Sequence, residues 1–117
     1  MEKIKCIIVE DEPWALDLLK GYVERIPFLE LLGAFFNPIE ALYFIQEKKV
    51  ELLFLDINMP DLNGFELSNL LSRQSMIIFT TAYSEYALES YNHQAIDYLL
   101  KPIEWDRFLT ACNKTLE

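Results

Sequence analysis

Leu52-Leu53-Phe54-Leu55-Asp56-Ile57-Asn58-Met59-Pro60 is the stretch that decides the fold. Four consecutive apolar residues without polar alternation read as a strand covered on both faces, and such strands belong to parallel sheets flanked by helices. A carboxylate, Asp56, follows at once. The same unit recurs in both directions. Strand-like runs are read at Lys5 to Val9, Leu31 to Phe35, Leu52 to Leu55, Met76 to Thr80 and Ile96 to Leu99. Helical spacing lies between them. Pro13 suits a first helical turn, with Trp14, Leu18, Leu19 and Val23 recurring up to Ile26-Pro27, and Asn37 caps a helix with Pro38 at its first position that runs to about Lys49, Leu42 and Ile45 facing inward. Gly64 to Ser72, Ser84 to Asn92 and Glu104 to Leu116 supply three more helices. Five βα units predict an α/β domain with a doubly wound, five-stranded parallel sheet and five flanking helices.

The 117 residues leave room for one such domain, expected to occupy 1–117. With 52% hydrophobic residues the chain is not a disordered one, and a formal charge of -9 disfavours direct contact with nucleic acid or anionic lipid. No apolar run approaches the roughly 20 residues that cross a bilayer. The opening Met1-Glu2-Lys3-Ile4-Lys5 lacks the pattern of a signal peptide, and Cys6 and Cys112 read as reduced core thiols, so a cytoplasmic protein is expected.

Polar residues collect where the strands end: Glu10-Asp11-Glu12 after the first, Asp56 after the third, Thr80-Thr81 after the fourth, Lys101 after the fifth. In a parallel sheet those ends share one edge, where ligands bind. Carboxylates gathered there repel one another unless a cation intervenes, and an all-oxygen donor set selects a hard ion, Mg²⁺ or alternatively Mn²⁺. The chemistry this favours is phosphoryl transfer to Asp56 as nucleophile, with Lys101 and the Thr81 hydroxyl neutralising and holding the transferred group.

Val9-Glu10-Asp11-Glu12-Pro13, Leu55-Asp56-Ile57-Asn58-Met59-Pro60 with Gly64, Thr80-Thr81-Ala82, and Asp97-Tyr98-Leu99-Leu100-Lys101-Pro102 together resemble the receiver domain of two-component response regulators. The likeness spans essentially the whole chain, and four short motifs in order at successive strand ends are far more specific than any one. Their wording is most similar to the branch whose receivers precede a LytTR-type DNA-binding domain. The resemblance implies the flavodoxin-like strand order 2-1-3-4-5. It also implies that Asp56 is the phosphoacceptor, Asp11 a direct metal ligand, Glu10 an acidic partner acting through water, and Asn58 a ligand through its backbone carbonyl. Thr81 and Lys101 hold the phosphoryl group, and Ala82 leaves it access. Tyr98 is the aromatic switch that turns inward when Thr81 moves, Lys101-Pro102 is a cis peptide, and Asn58 and Tyr83 flank the path of the hydrolytic water. Glu10 departs from the Asp that many members carry there.

As partners the resemblance implies a histidine kinase, an effector domain of the LytTR DNA-binding type beyond this chain, and a homodimer formed on phosphorylation. The end at Leu116-Glu117 reads as a truncation before that effector. Chemistry is expected on the chain's own side chain, with slow self-dephosphorylation, rather than on external substrates. Two alternatives stand beside it. A Mg²⁺-dependent phosphatase of the haloacid dehalogenase type places an acid two residues after its nucleophile, where this chain has Asn58. A phosphate-independent binding module has no use for Asp11, Asp56, Thr81 and Lys101 together. His93 reads as a surface residue without a role, Tyr83, Tyr86 and Tyr91 as either packing or a partner surface, and Glu47-Lys48-Lys49 as a solvated helix end.

Overall fold

A computed structural model describes residues 2–71 and 75–117. Five strands, β1 (Ile4–Val9), β2 (Leu29–Phe35), β3 (Leu52–Asp56), β4 (Met76–Thr81) and β5 (Asp97–Leu100), form one parallel sheet in the order β2-β1-β3-β4-β5. The helices are α1 (Pro13–Glu24), α2 (Pro38–Glu47), α3 (Gly64–Leu70), α4 (Ala87–Asn92) and α5 (Trp105–Asn113). This is the doubly wound sheet expected of five βα units, in the flavodoxin-like strand order that the resemblance implies.

The two-residue period of the strands divides the core. Cys6 and Ile8 of β1, Leu52 and Phe54 of β3, Ile78 and Leu99 pack with Leu16, Leu19 and Val23 of α1 and Phe108, Ala111 and Cys112 of α5. Ile7 and Val9, Leu53 and Leu55, Ile77 and Phe79 pack on the other side with Ala41 of α2 and Phe65 and Leu67 of α3. Phe54 and Phe108 stack at 5.2 Å across the first layer. Because consecutive residues serve opposite layers, Cys6–Val9 of β1 and Leu52–Leu55 of β3 are apolar throughout.

Several boundaries differ from the sequence reading. β2 begins at Leu29, since β1 pairs with it from Ile4↔Leu29 onward. On α1, Ala15, Leu16, Leu19 and Val23 are buried while Trp14 is 56% exposed, so the inward stripe is set one position later than Trp14. The region 84–92 is a 3₁₀ turn (Ser84–Tyr86) followed by α4, and 104–116 becomes α5 followed by a 3₁₀ turn (Lys114–Leu116). α3 ends at Leu70, and Ser72 lies outside the described residues. Asn37 does cap α2, accepting from the Ile39 and Glu40 N–H groups, and an Asn63–Glu66 capping box starts α3. Cys6 and Cys112 are free and buried. Among the described residues no helix is long and apolar enough to cross a membrane.

Candidate functional site at the carboxyl edge of the sheet

The three central strands deliver the carboxylates and the hydroxyl of the site, and the edge strand β5 the lysine. After β1, the Glu10 N–H donates to the Phe35 carbonyl at 2.9 Å, so the residue past the strand is still held by the sheet and its side chain is fully buried. Asp56, the last residue of β3, pairs with Thr80 and is 1% exposed. Its carbonyl side is closed by α3: a Cβ on Gly64 would stand 2.5 Å from the Asp56 carbonyl oxygen and 2.9 Å from the Ile57 Cα. Only glycine lets the helix begin that close to the nucleophile's backbone. The Asn58 N–H folds back to donate to Asp56 Oδ1 at 3.1 Å. Lys101 arrives from β5, its N–H bonded to the Thr81 carbonyl at 2.7 Å, and the Lys101-Pro102 peptide is cis.

One carboxylate oxygen from each of Glu10, Asp11, Glu12 and Asp56 falls within 4.8 Å of the others. A single ammonium serves three of them. Lys101 Nζ donates to Glu12 Oε1 at 2.8 Å, Glu10 Oε2 at 3.1 Å and Asp56 Oδ2 at 3.3 Å, with its side chain only 8% exposed. Nζ also lies 3.0 Å from Glu10 Oε1, but the hydrogen bond goes to Oε2. Glu10 Oε1 and Asp11 Oδ1 are buried without hydrogen-bond partners. Burial, then the hydrogen bond and charge of Glu10 and the proximity of Asp11, push the Asp56 carboxyl far above the usual range, against the pull of Lys101. Burial works against the Lys101 ammonium, yet its bond to Glu12 and the charges of Asp56 and Glu10 raise its pKa above that of an ordinary lysine. The same bond lowers Glu12.

Excess negative charge, an ammonium already fully engaged and a buried Asp11 oxygen without a partner make a site short of one cation. Oxygen-only donors fit a hard divalent ion.

On the other side of Asp56, Thr81 Oγ1 donates to Asn58 Oδ1 at 3.2 Å and accepts from the Tyr83 N–H at 3.0 Å. Asn58 and Tyr83 are thereby tied to the hydroxyl between them. The Tyr83 ring is half exposed and meets Tyr86 edge-on at 6.1 Å. Tyr98 lies on β5 opposite Phe79, partly buried, with Tyr91 edge-on at 6.2 Å.

Thus Glu10, Asp11, Asp56 and Lys101 converge, and Asn58, Thr81 and Tyr83 form a hydrogen-bonded group beside them. Tyr98 stands apart, one strand over. Sequence reading assigned no site role to Glu12, the shortest partner of Lys101; the run of three acids after β1 was the available signal. It also passed over Asp97, buried on β5 and bonded by Arg107 and Lys114. His93 is only partly a surface residue: its side chain is 18% exposed, its ring stacks on Phe65 of α3 at 4.5 Å and Nδ1 lies 3.2 Å from Asn69 Oδ1.

A doubly wound sheet with an acidic cluster, a lysine and a hydroxyl at its carboxyl edge defines a phosphorelay type of signalling domain. The chain belongs to the response regulator receiver domain family, whose pattern matches residues 6–113. Members of this family generally bind Mg²⁺ at an acidic pocket. It is 37% identical over 114 residues to the sensory transduction protein LytT of Bacillus anthracis, covering 95% of this chain and 46% of that one. That likeness agrees with the LytTR-type branch. The crystal structure of the response regulatory domain of MrkE from Klebsiella pneumoniae superposes with a TM-score of 0.87 at 36% identity, covering 96% of this chain and 94% of that one. TrrA of Thermotoga maritima, solved in complex with Mg²⁺ and BeF, gives 0.83 at 29% identity, covering 98% and 99%. The chain spans about half the length of the curated relatives it matches.

Proposed function

We propose that Asp56 accepts a phosphoryl group from a histidine kinase or a small phosphodonor in a Mg²⁺-dependent reaction, and that the resulting anion switches the surface that controls an effector. The observation that carries this reading is the buried Asp56 beside Glu10 and Asp11, with a buried Asp11 oxygen left without a partner and Lys101 shared between Asp56 and Glu10. Glu10, Asp11, Asp56 and the Asn58 backbone carbonyl would hold Mg²⁺, or Mn²⁺ in its place. The ion supplies charge neutralisation for the entering phosphoryl group and for the carboxylates. This chain's own residues do the rest. An Asp56 oxygen attacks phosphorus as the donor's leaving group departs. Lys101 exchanges a carboxylate for a phosphoryl oxygen, and Thr81 leaves Asn58 to donate to another. Movement of Thr81 opens space for the Tyr98 ring, shifting the surface of α4, β5 and α5 and favouring a homodimer. The LytT relative supports an effector of the LytTR DNA-binding type on the whole protein.

Acetyl phosphate with Mg²⁺ provides the test. One phosphoryl adduct is expected by mass, absent with a chelator and absent in D56N. Sustained turnover of external phosphoesters without an adduct would favour the phosphatase reading instead. Sedimentation with beryllofluoride should show a heavier species; an unchanged monomer removes dimerisation by this domain from the scheme.

A further inference from the structure

The carboxylate of Asp97 is fully buried one residue before Tyr98. Arg107 of α5 grips it as a fork, Nη1 to Oδ2 and Nη2 to Oδ1, both at 2.8 Å. Lys114 Nζ lies 3.0 Å from Oδ2, the Tyr98 N–H donates to Oδ1 at 2.9 Å, and the Tyr91 hydroxyl donates to Oδ1 at 3.4 Å. Arg107 Nη2 also donates to the Tyr98 carbonyl at 2.8 Å. The Tyr98 peptide is therefore gripped from both sides, and one carboxylate joins α4, β5 and α5.

A planar fork bound this way has no freedom left, so its face points where the fork dictates. That face carries the guanidinium carbon to 5.8 Å from the centre of the Tyr98 ring. The two kinds of contact differ in what a ring movement does to them. The backbone bond to Tyr98 and the fork on Asp97 persist when the ring turns, because β5 stays paired to β4 through Phe79↔Tyr98. The face contact and the Tyr91 edge contact belong to the present ring position alone. Only contacts that differ between two states bias their equilibrium.

We propose that Arg107, aimed by Asp97, is a positioning residue that holds the Tyr98 ring in its resting place and so sets how readily the domain switches. This rests on the phosphoacceptor reading above. A cation over an aromatic face at a partly exposed site corresponds to about a two- to fivefold bias. The reaction at Asp56 is untouched by Arg107; what changes is the share of molecules in the switched state.

The experiment is a double-mutant cycle read by affinity for beryllofluoride at fixed Mg²⁺. R107K keeps a cation on Asp97 but loses the fork and the planar face. It should bind the mimic about two- to fivefold more tightly than wild type. Y98L keeps side-chain bulk and removes the ring, so R107K in that background should change affinity by less than the error. Should R107K fold poorly, R107Q is read in the same way, its amide still able to donate to Asp97. Unchanged or weaker binding in the Arg107 variants, or equal tightening with and without Tyr98, would overturn the proposal and leave Arg107 as a purely structural partner of Asp97. A wild-type domain that binds no beryllofluoride would instead defeat the phosphoacceptor reading, and this inference with it.

Discussion

Replacing Asp56 with Asn should stabilise the metal-free domain, and the size of the effect follows from the packing of charges. Glu10, Asp11 and Glu12 each place a carboxylate oxygen within 4.8 Å of one on Asp56, but the Glu12 side chain is 48% exposed and screened by solvent, which leaves two repulsions to count. At an effective dielectric of about 20, a like-charge pair at that distance repels by roughly 3.5 kcal/mol, so two give about 7. Lys101, at 3.3 Å from Asp56 Oδ2, returns about 5 kcal/mol on the same scale. The balance is a penalty of about 2 kcal/mol, before any cost of burying the charge. With an unfolding entropy of about 2.1 cal/mol/K per residue over 117 residues, each kcal/mol moves Tm by about 4 °C, and D56N should melt about 8 °C higher in the presence of a chelator.

A carboxyl whose folded pKa is raised holds its proton more tightly in the folded state, so wild-type stability falls as pH climbs from about 4 toward the raised value. The advantage of D56N should be small near pH 4 and grow toward neutrality. Mg²⁺ should raise the wild type and narrow the gap, since binding to the folded site alone adds stability. Thermal melts of both proteins at two pH values, with chelator and with Mg²⁺, measure all of this. An Asn variant that melts at or below wild type without metal refutes the reasoning.

Asp97 is brought down to about 2: burial opposes its charge, but the bonds from Arg107, Lys114 and the Tyr98 N–H outweigh it. Its contribution of about 2 kcal/mol should be fully present above pH 4 and vanish toward pH 2, so the Tm difference between wild type and D97N should close over that interval. G64A must push α3 away from the Asp56 backbone; a loss of about 1–3 kcal/mol by denaturant melting is expected, with slower phosphorylation by acetyl phosphate, and a variant of normal stability would show that α3 yields without cost. Tyr83 is tethered to the Thr81 hydroxyl through its N–H, and its ring is expected to obstruct the hydrolytic water, so Y83A should lose its phosphoryl group faster at fixed Mg²⁺. Equal or slower decay would mean that the ring serves only its contact with Tyr86.

The sheet was legible because β1 and β3 are buried on both faces and so carry uninterrupted apolar runs. The residues at its carboxyl edge were legible because polarity appears abruptly where those runs stop. β2 was harder: on the sheet's edge most of its residues are only partly buried, and Leu29-Glu30 carries no continuous apolar signal. The partial burial of His93 depends on its stacking against Phe65 of α3, a tertiary contact with no local periodicity. The Asp97 network escaped for the same reason. A lone acid in a strand looks like its end until Arg107 and Lys114, a helix away, are seen to converge on it. Glu12 was visible as charge, but its partnership with Lys101 spans 89 positions of sequence.

An ammonium has three protons, and on Lys101 each already has a carboxylate: Glu10, Glu12 and Asp56. Any oxygen arriving at that nitrogen enters by substitution, so the vacancy for a phosphoryl group must be created rather than found. Of the three incumbents, Glu10 and Asp56 are buried, while the Glu12 side chain is 48% exposed and water can take over its solvation. The domain thus keeps its cation occupied at rest with one ligand that can be released to solvent at little cost, much as a labile ligand keeps a coordination position open to exchange.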